Sequence, residues 1–221
     1  MSLVQTIDKL PNTLYHGTTS NHVKNIASRI DLNACMPQTD FSKGFYLTSN
    51  FEQAKVWAEK KEKAHNIIEL GKAKRDSDYI PDIVKGVIVH FDVDLEGLSF
   101  LNGLHFPKCT PRWANFVYAN RSEKSIYELE LELQDFNNRE LTWDYVYGPL
   151  GDGSIMGLTY KVDDGEMTLK EFYQEIQNDK YIENKYDQLS LHTRSALEFI
   201  EYKKVVLTHA YGRTRKVTSE I

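Results

Sequence analysis

The sequence predicts an α+β fold. Short β-prone runs alternate with helical segments of irregular length, without the regular strand–helix–strand rhythm of a doubly wound sheet. No G-x-G-x-x-G follows a strand and no Walker-type loop is present, so any dinucleotide would be held by another geometry. At 221 residues, with 41% hydrophobic and 27% charged side chains, the composition is that of an ordinary globular protein. A chain of this length buries roughly 70% of the surface its unfolded form exposes, enough to fold without a disulfide or a metal. With no internal repeat and no low-complexity linker, residues 1–221 read as a single domain with long insertions.

Thr13-Leu14-Tyr15-His16-Gly17-Thr18 is the first predicted strand, β-prone and ended by glycine. Ser20 or Asn21 is placed to cap a short helix with Val23, Ile26 and Ala27 on one face. After a polar stretch through Asp40, Gly44-Phe45-Tyr46-Leu47-Thr48 reads as the next strand. Asn50 then caps a helix from Phe51 to about Lys63. Gln53 stands at its capping-box position, and Phe51, Ala54 and Ala58 run along one stripe. The polar segment from Asn66 to Pro81 is expected to be a loop. Gly86 to Val93, rich in β-branched residues, is the clearest strand. Pro111 to Asn120 is expected to be a helix with proline in its first turn and Trp113, Phe116 and Val117 on its apolar face. Thr142 to Tyr147 alternates as a strand and ends at Gly148-Pro149. Thr168 caps a helix through Gln177, Asp187 to Thr193 is a short strand, and Tyr202 to Thr208 is the last.

A net charge of −5 and a pI near 5.8 argue against a duplex binder that works by phosphate neutralisation. The basic clusters Lys72, Lys74, Arg75 and Arg213, Arg215, Lys216 read first as solvated surface. Cys35 and Cys109 are far apart and lack metal-type spacing, which fits a reducing compartment. Seven histidines include no H-x-x-x-H pair, which makes a metal hydrolase a distant rival. No apolar run approaches a membrane span and no secretory segment follows the start. The expectation is a cytoplasmic protein with no membrane partner and no metal.

Three segments put polar groups on strands. His16 stands beside Gly17, where the backbone is open to close approach. Alternation sets Tyr46 and Thr48 on one face and Phe45 and Leu47 on the other, and a tyrosine facing a cleft is a flat stacking surface with a polar tip. Gln188, Ser190 and His192 share one face of a short apolar strand, and Asp187 falls on the opposite face. Each segment alone has an ordinary structural explanation.

In their order, the segments resemble the ADP-ribosyltransferase superfamily. The likeness is to its diphtheria-toxin and poly(ADP-ribose) polymerase branch, whose signature is His, then Tyr, then Glu or a substitute. More closely, they resemble a bacterial domain family carrying Y-H-G-T, D-F-G-K-G-F-Y-L-T, Q-A-x-x-W-A, D-x-V-x-G-P and Q-x-S-x-H-T. The matching residues are Tyr15 to Thr18, Asp40 to Thr48, Gln53 to Ala58, Asp144 to Pro149 and Gln188 to Thr193. The likeness runs from about Asn12 to Leu207 and is thin from about Asn66 to Asn138. Ser42 stands where that family usually has glycine, and Gln188 where the well-studied transferases have a catalytic glutamate.

The resemblance implies a split antiparallel or mixed β-sheet core with flanking helices, and NAD as substrate. His16 would hydrogen-bond the adenine-side ribose, and Gly17 would hold the nicotinamide carboxamide through its backbone. Tyr46 would stack on the nicotinamide ring, and Gln188 would approach the hydroxyls of the nicotinamide-side ribose. Thr18 and Thr48 complete the expected NAD-binding set, within which His16, Tyr46 and Gln188 form the catalytic set. The implied reaction breaks the nicotinamide–ribose bond through an oxocarbenium-like transition state and passes ADP-ribose to an acceptor, protein or nucleic acid. Glutamine is a poor general base, so single ADP-ribose units are expected rather than chains. The alternative is a non-catalytic domain of the same fold that binds NAD or an ADP-ribosylated partner, a reading that Gln188 favours. A protein-interaction module that has lost the pocket is the third reading.

Overall fold

The computed structural model describes residues 7, 10–151, 153–177 and 182–209, without the side chains of 182–185. The described strands form two sheets. β1 (Thr13–Thr19), β3 (Gly86–Val93) and β7 (Ile200–Leu207) make an antiparallel sheet in the order β1–β3–β7. β2 (Phe45–Leu47), β6 (Ile182–Leu191), β5 (Tyr145–Gly151) and β4 (Gly103–His105) make the second in that order, antiparallel except for the β4–β5 pair. The helices are α1 (Val23–Ser28), α2 (Phe51–Arg75), α3 (Leu95–Ser99), α4 (Pro111–Arg121), α5 (Leu131–Gln134), α6 (Ile155–Asp163), α7 (Leu169–Ile176) and α8 (Arg194–Leu197). The fold is therefore α+β, with one antiparallel and one mixed sheet.

Alternation along the strands of the second sheet divides the interior in two. Phe45 and Leu47 of β2, Tyr145 and Tyr147 of β5, and Leu189 and Leu191 of β6 join Leu14, Val89 and Phe91 of the first sheet in one core, between the sheets. The opposite face, with Val146 and Tyr46, meets Trp113, Phe116, Ile155, Phe172 and Ile176 from α4, α6 and α7 in the other. The polar residues Gln188 and Ser190 also point to this helical side, as alternation from Leu189 and Leu191 requires.

Helix α2 crosses the first sheet on a seam of small residues. Its cap is as expected, with Asn50 Oδ1 accepting from Gln53 N at 3.1 Å. Ala54 and Ala58 are fully buried, and a Cβ placed on Gly17 would lie 2.0 Å from the Ala54 carbonyl oxygen. A Cβ on Gly86 would meet the Ala58 oxygen at 3.0 Å. The helix backbone thus rests almost directly on β1 and β3, and Gly17 serves that packing.

Several expectations need correction. Helix α2 does not stop near Lys63 but runs to Arg75, so the first part of the expected 66–81 loop is helical. The polar side chains there are bonded to the returning chain. Asn66 bonds both the N–H and the C=O of Val84, and Glu69 accepts from Tyr79 Oη and Asp82 N. Helix α1 is entered through a 3-10 turn, Ser20–His22, without a side-chain cap. The Ser20 hydroxyl instead accepts from Lys85 N, and Ala27 is exposed. Strand β5 begins at Tyr145 and carries on through Gly148 and Pro149 to Gly151. The first-turn proline of α4 and the Thr168 cap of α7 are as expected, and the structure adds a Thr110 cap to α4 and a Glu171 partner that completes a capping box on α7. Arg213, Arg215 and Lys216 lie outside the described residues.

Gly17→Ala is expected to destabilise the protein by about 2 kcal/mol or more, because backbone rather than a flexible side chain blocks the new methyl group. Urea unfolding of the two forms measures it, and a loss below about 0.5 kcal/mol would mean that α2 does not sit on the β1 backbone.

Candidate functional site

Among the described residues an isolated antiparallel bridge between Tyr15 and Thr48 joins the two sheets. Tyr15 N donates to Thr48 O and Thr48 N to Tyr15 O, both at 2.9 Å. A residue in an antiparallel strand sends its N–H and C=O to the same side, and residues two apart share that side. Gly17 therefore directs both groups off the edge of β1 that Tyr15 uses. Lys61, on α2, donates from Nζ to the Gly17 carbonyl at 3.0 Å. Lys61 is exposed in part, while its ammonium end is tucked against the strand, and desolvation there lowers its pKa. Trp57, one turn back on α2, is 45% exposed.

His16 stacks on Phe45, with ring centroids 4.5 Å apart and planes at 23°. Its Nδ1 is 2.7 Å from the Tyr46 carbonyl oxygen, so that nitrogen carries the proton and donates. Burial, reinforced by the Lys61 charge, lowers its pKa to about 3. The ring is neutral at physiological pH, and Nε2 is left as an acceptor.

Tyr46 leaves β2 on the helical side, against Phe41, with His192 edge-on at a centroid distance of 6.5 Å. Its hydroxyl donates to Ser42 O at 2.7 Å, accepts from Phe41 N at 3.0 Å and lies 2.7 Å from Thr39 Oγ1. Burial raises its pKa. The hydroxyl is committed to holding the loop before β2, and only the ring is available to a ligand. Ser42 in that loop has φ of 72°, in the left-handed region. This explains physically why the resembling family usually carries glycine there.

Gln188 is 4% exposed. Its Nε2 donates to Asp40 Oδ2 and, at 3.1 Å, to Pro149 O. Asp40, 2% exposed, also accepts from Arg121 Nε at 2.7 Å and from Gly151 N at 2.8 Å. Asp187 lies on the other face of β6, where Thr48 Oγ1, Ser49 N, Ser49 Oγ and Tyr147 Oη all bond its carboxylate. It is thus a structural anchor and no substitute for a catalytic glutamate. The expectation that Thr48 shares a face with Tyr46 needs correction, because its hydroxyl goes to Asp187 on the side opposite Gln188. Thr18 is 3% exposed at the end of β1. His192 is 1% exposed, with Nδ1 2.8 Å from Lys43 O and Nε2 2.8 Å from Ser190 Oγ. Its pKa falls to about 4 through burial. With both nitrogens engaged, it has none to offer an acceptor.

The structure thus brings His16 to the backbone of Tyr46 rather than to its ring, and places Tyr46 and Gln188 on the same helical side of the sheet. A separate open cleft of about 570 Å³ lies next to His192, lined in part by Arg29, Lys43 and Arg194. Reasoning from sequence missed Lys61, which lies on the Ala54–Ala58 stripe at helical spacing and could have been found there. It also missed the roles of Asp40 and Arg121. No local pattern links those two residues, which are 81 positions apart.

A family model described as "Protein of unknown function (DUF3990)" matches residues 12–202. The chain belongs to the DUF3990 family. No curated protein and no solved structure matches it. The matched span of this DUF3990 domain contains every residue of the candidate site. Among its described residues no group of three or more His, Cys, Asp or Glu could hold a metal, and no helix is long and apolar enough to cross a membrane.

Two outcomes follow for the DUF3990 domain. Ser42→Gly is expected to stabilise it by about 0.5–1 kcal/mol by relieving the left-handed backbone, partly offset by greater freedom in the unfolded chain. Urea unfolding reads this, and a loss of stability would mean that the serine side chain is needed. The second concerns pH. His16 and His192 have folded pKa values below the ordinary 6.5, so the unfolded chain binds more protons below that pH. Their contribution is complete above pH 6.5 and declines as pH falls toward about 4 and 3, with a slope of up to about 1.4 kcal/mol per pH unit for each ring. Unfolding free energies at intervals between pH 7 and 5 measure the slope, and a flat profile would contradict the neutral-ring assignment.

Proposed function

We propose that this domain binds NAD at the Gly17 edge of β1 and acts as a mono-ADP-ribosyltransferase. The observation that carries the reading is the Tyr15–Thr48 bridge, which leaves the Gly17 N–H and C=O directed off a strand edge beside His16 and β2. A planar carboxamide is complementary to such a donor–acceptor pair, in the way that an added strand is. The Lys61 ammonium on the Gly17 carbonyl would have to move aside or share that oxygen, which has a second lone pair. His16 offers an Nε2 acceptor suited to a ribose hydroxyl. Tyr46 and Trp57 offer aromatic surfaces, and Tyr46 is held rigid by its hydroxyl.

In this reading the bond between nicotinamide and ribose breaks, nicotinamide leaves with the electron pair, and the anomeric carbon is taken by an acceptor nucleophile. The positive charge that develops is met by an amide dipole at Gln188 rather than by a carboxylate. Loss of one well-placed electrostatic stabiliser costs about 10²–10³ in rate, which leaves room for catalysis because the leaving group departs from a cationic pyridinium.

A second reading, NAD or ADP-ribose binding without turnover, is favoured by a specific observation. Gln188 is nearly buried and both protons of its amide nitrogen are donated within the protein.

Calorimetric titration of NAD into the purified protein tests the shared part of both readings. Saturable binding is expected, weakened tenfold or more (about 1.4 kcal/mol) in Tyr46→Ala. No binding at millimolar NAD would overturn both. Release of nicotinamide from bound NAD separates them, since turnover supports the transferase and its absence supports the binding domain.

A further inference from the structure

We propose that Asp40 is a positioning residue for Gln188. Held by Arg121, it fixes the glutamine amide so that the oxygen, not the nitrogen, is presented to the candidate site. The inference rests on the dinucleotide reading for its purpose, though not for its geometry.

An amide nitrogen has two protons, and here two buried acceptors take them, Asp40 Oδ2 and Pro149 O. No described residue donates to Oε1. The buried side-chain atoms without a partner among the described residues are His90 Nε2, Trp113 Nε1 and Thr208 Oγ1, and Gln188 Oε1 is not one of them. With the nitrogen committed to these two acceptors, the acceptor end of the amide is the one left for a ligand. That end accepts a ribose hydroxyl and carries the negative pole of the dipole, which is the sign needed beside developing positive charge. If the amide were reversed, its oxygen would face the Asp40 carboxylate.

Arg121 holds the other oxygen of the same carboxylate. Buried beside it, Arg121 bonds Asp40 Oδ1 through Nε, which leaves Oδ2 to Gln188 and Gly151. Tyr46 sets the position of Asp40, because its hydroxyl bonds the neighbouring Phe41 N and Ser42 O. The chain of contacts runs from Tyr46 through the loop to Asp40 and on to Gln188. It also accounts for glutamine at this position. A glutamate here would set two carboxylates at hydrogen-bond distance in a buried site, where both cannot remain ionised.

The test follows the Gln188 side-chain amide by ¹⁵N NMR in the full chain, its signals assigned by their loss in Gln188→Met. Two hydrogen bonds to buried acceptors should slow proton exchange about 30-fold or more relative to the exposed Gln177. In Asp40→Asn that protection is expected to fall at least tenfold and the NAD dissociation constant to rise about tenfold. Because Asp40→Asn also leaves Arg121 without its partner, the paired exchange Asp40→Asn with Gln188→Glu keeps one carboxylate in the network. The Gln188→Glu single variant should lose stability, and the pair should recover at least tenfold in the unfolding constant and return NAD affinity to within threefold. Three results would overturn the proposal. They are exchange at Gln188 as fast as at Gln177, additive effects in the pair, and a folded Asp40→Asn that binds NAD as tightly as the parent. Protected protons in a protein that binds no NAD would support the oriented amide and overturn the dinucleotide reading instead.

Discussion

Two backbone hydrogen bonds between Tyr15 and Thr48 hold the arrangement together. They join the edge of one sheet to the end of the short strand β2 and so fix the angle at which the sheets meet. Everything in the candidate site is placed relative to that junction. Gly17 faces off the same edge because it is two residues beyond Tyr15. His16 reaches the Tyr46 carbonyl because the bridge brings β1 alongside β2. Helix α2 starts at Phe51, three residues beyond Thr48, and lies on β1 through the Gly17–Ala54 contact, which delivers Lys61 to the Gly17 carbonyl. The Asp187 carboxylate reinforces the junction from β6, accepting from both Thr48 and Ser49.

The other half of the site is a buried polar network. Asp40, Arg121 and Gln188 are all less than one-tenth exposed. A buried pair of charges is a weak source of net stability, since desolvation offsets much of the attraction, yet removing one partner is costly. Such a network is useful where orientation is wanted, because it has few alternative arrangements once each donor and acceptor is satisfied. The committed hydroxyl of Tyr46 belongs to the same logic. It spends its hydrogen-bonding capacity on the loop that carries Asp40, and leaves only the ring uncommitted.

Much of the fold was legible because local signals and tertiary structure agree. β3, with its β-branched run, and the capped helices α4 and α7 lie where the patterning put them. The long end of α2 was not legible, because Asn66 and Glu69 look like loop residues until the chain that returns to them is known. The site divides in the same way. Gly17, His16 and Tyr46 stand out because each breaks the pattern of its strand, and alternation assigned Gln188 and Asp187 to opposite faces. Thr48 was assigned to the wrong face because the strand ends at Leu47, and the bridge to Tyr15 redirects its side chain. Arg121 carried no signal at all. Its significance comes from an aspartate that the chain brings to it from 81 residues away.

The proposed site turns on the Gly17 backbone facing an amide-bearing ligand at the junction of the sheets. The most direct test is the Gly17 amide signal in a ¹H–¹⁵N NMR spectrum as nicotinamide, and then NAD, is added. The Gly17 N–H is expected to shift downfield, among the largest changes in the spectrum, with smaller changes at Tyr46 and at the His16 ring. A saturable response that leaves Gly17 unmoved, or that gathers around Arg29, Lys43 and Arg194, would contradict it.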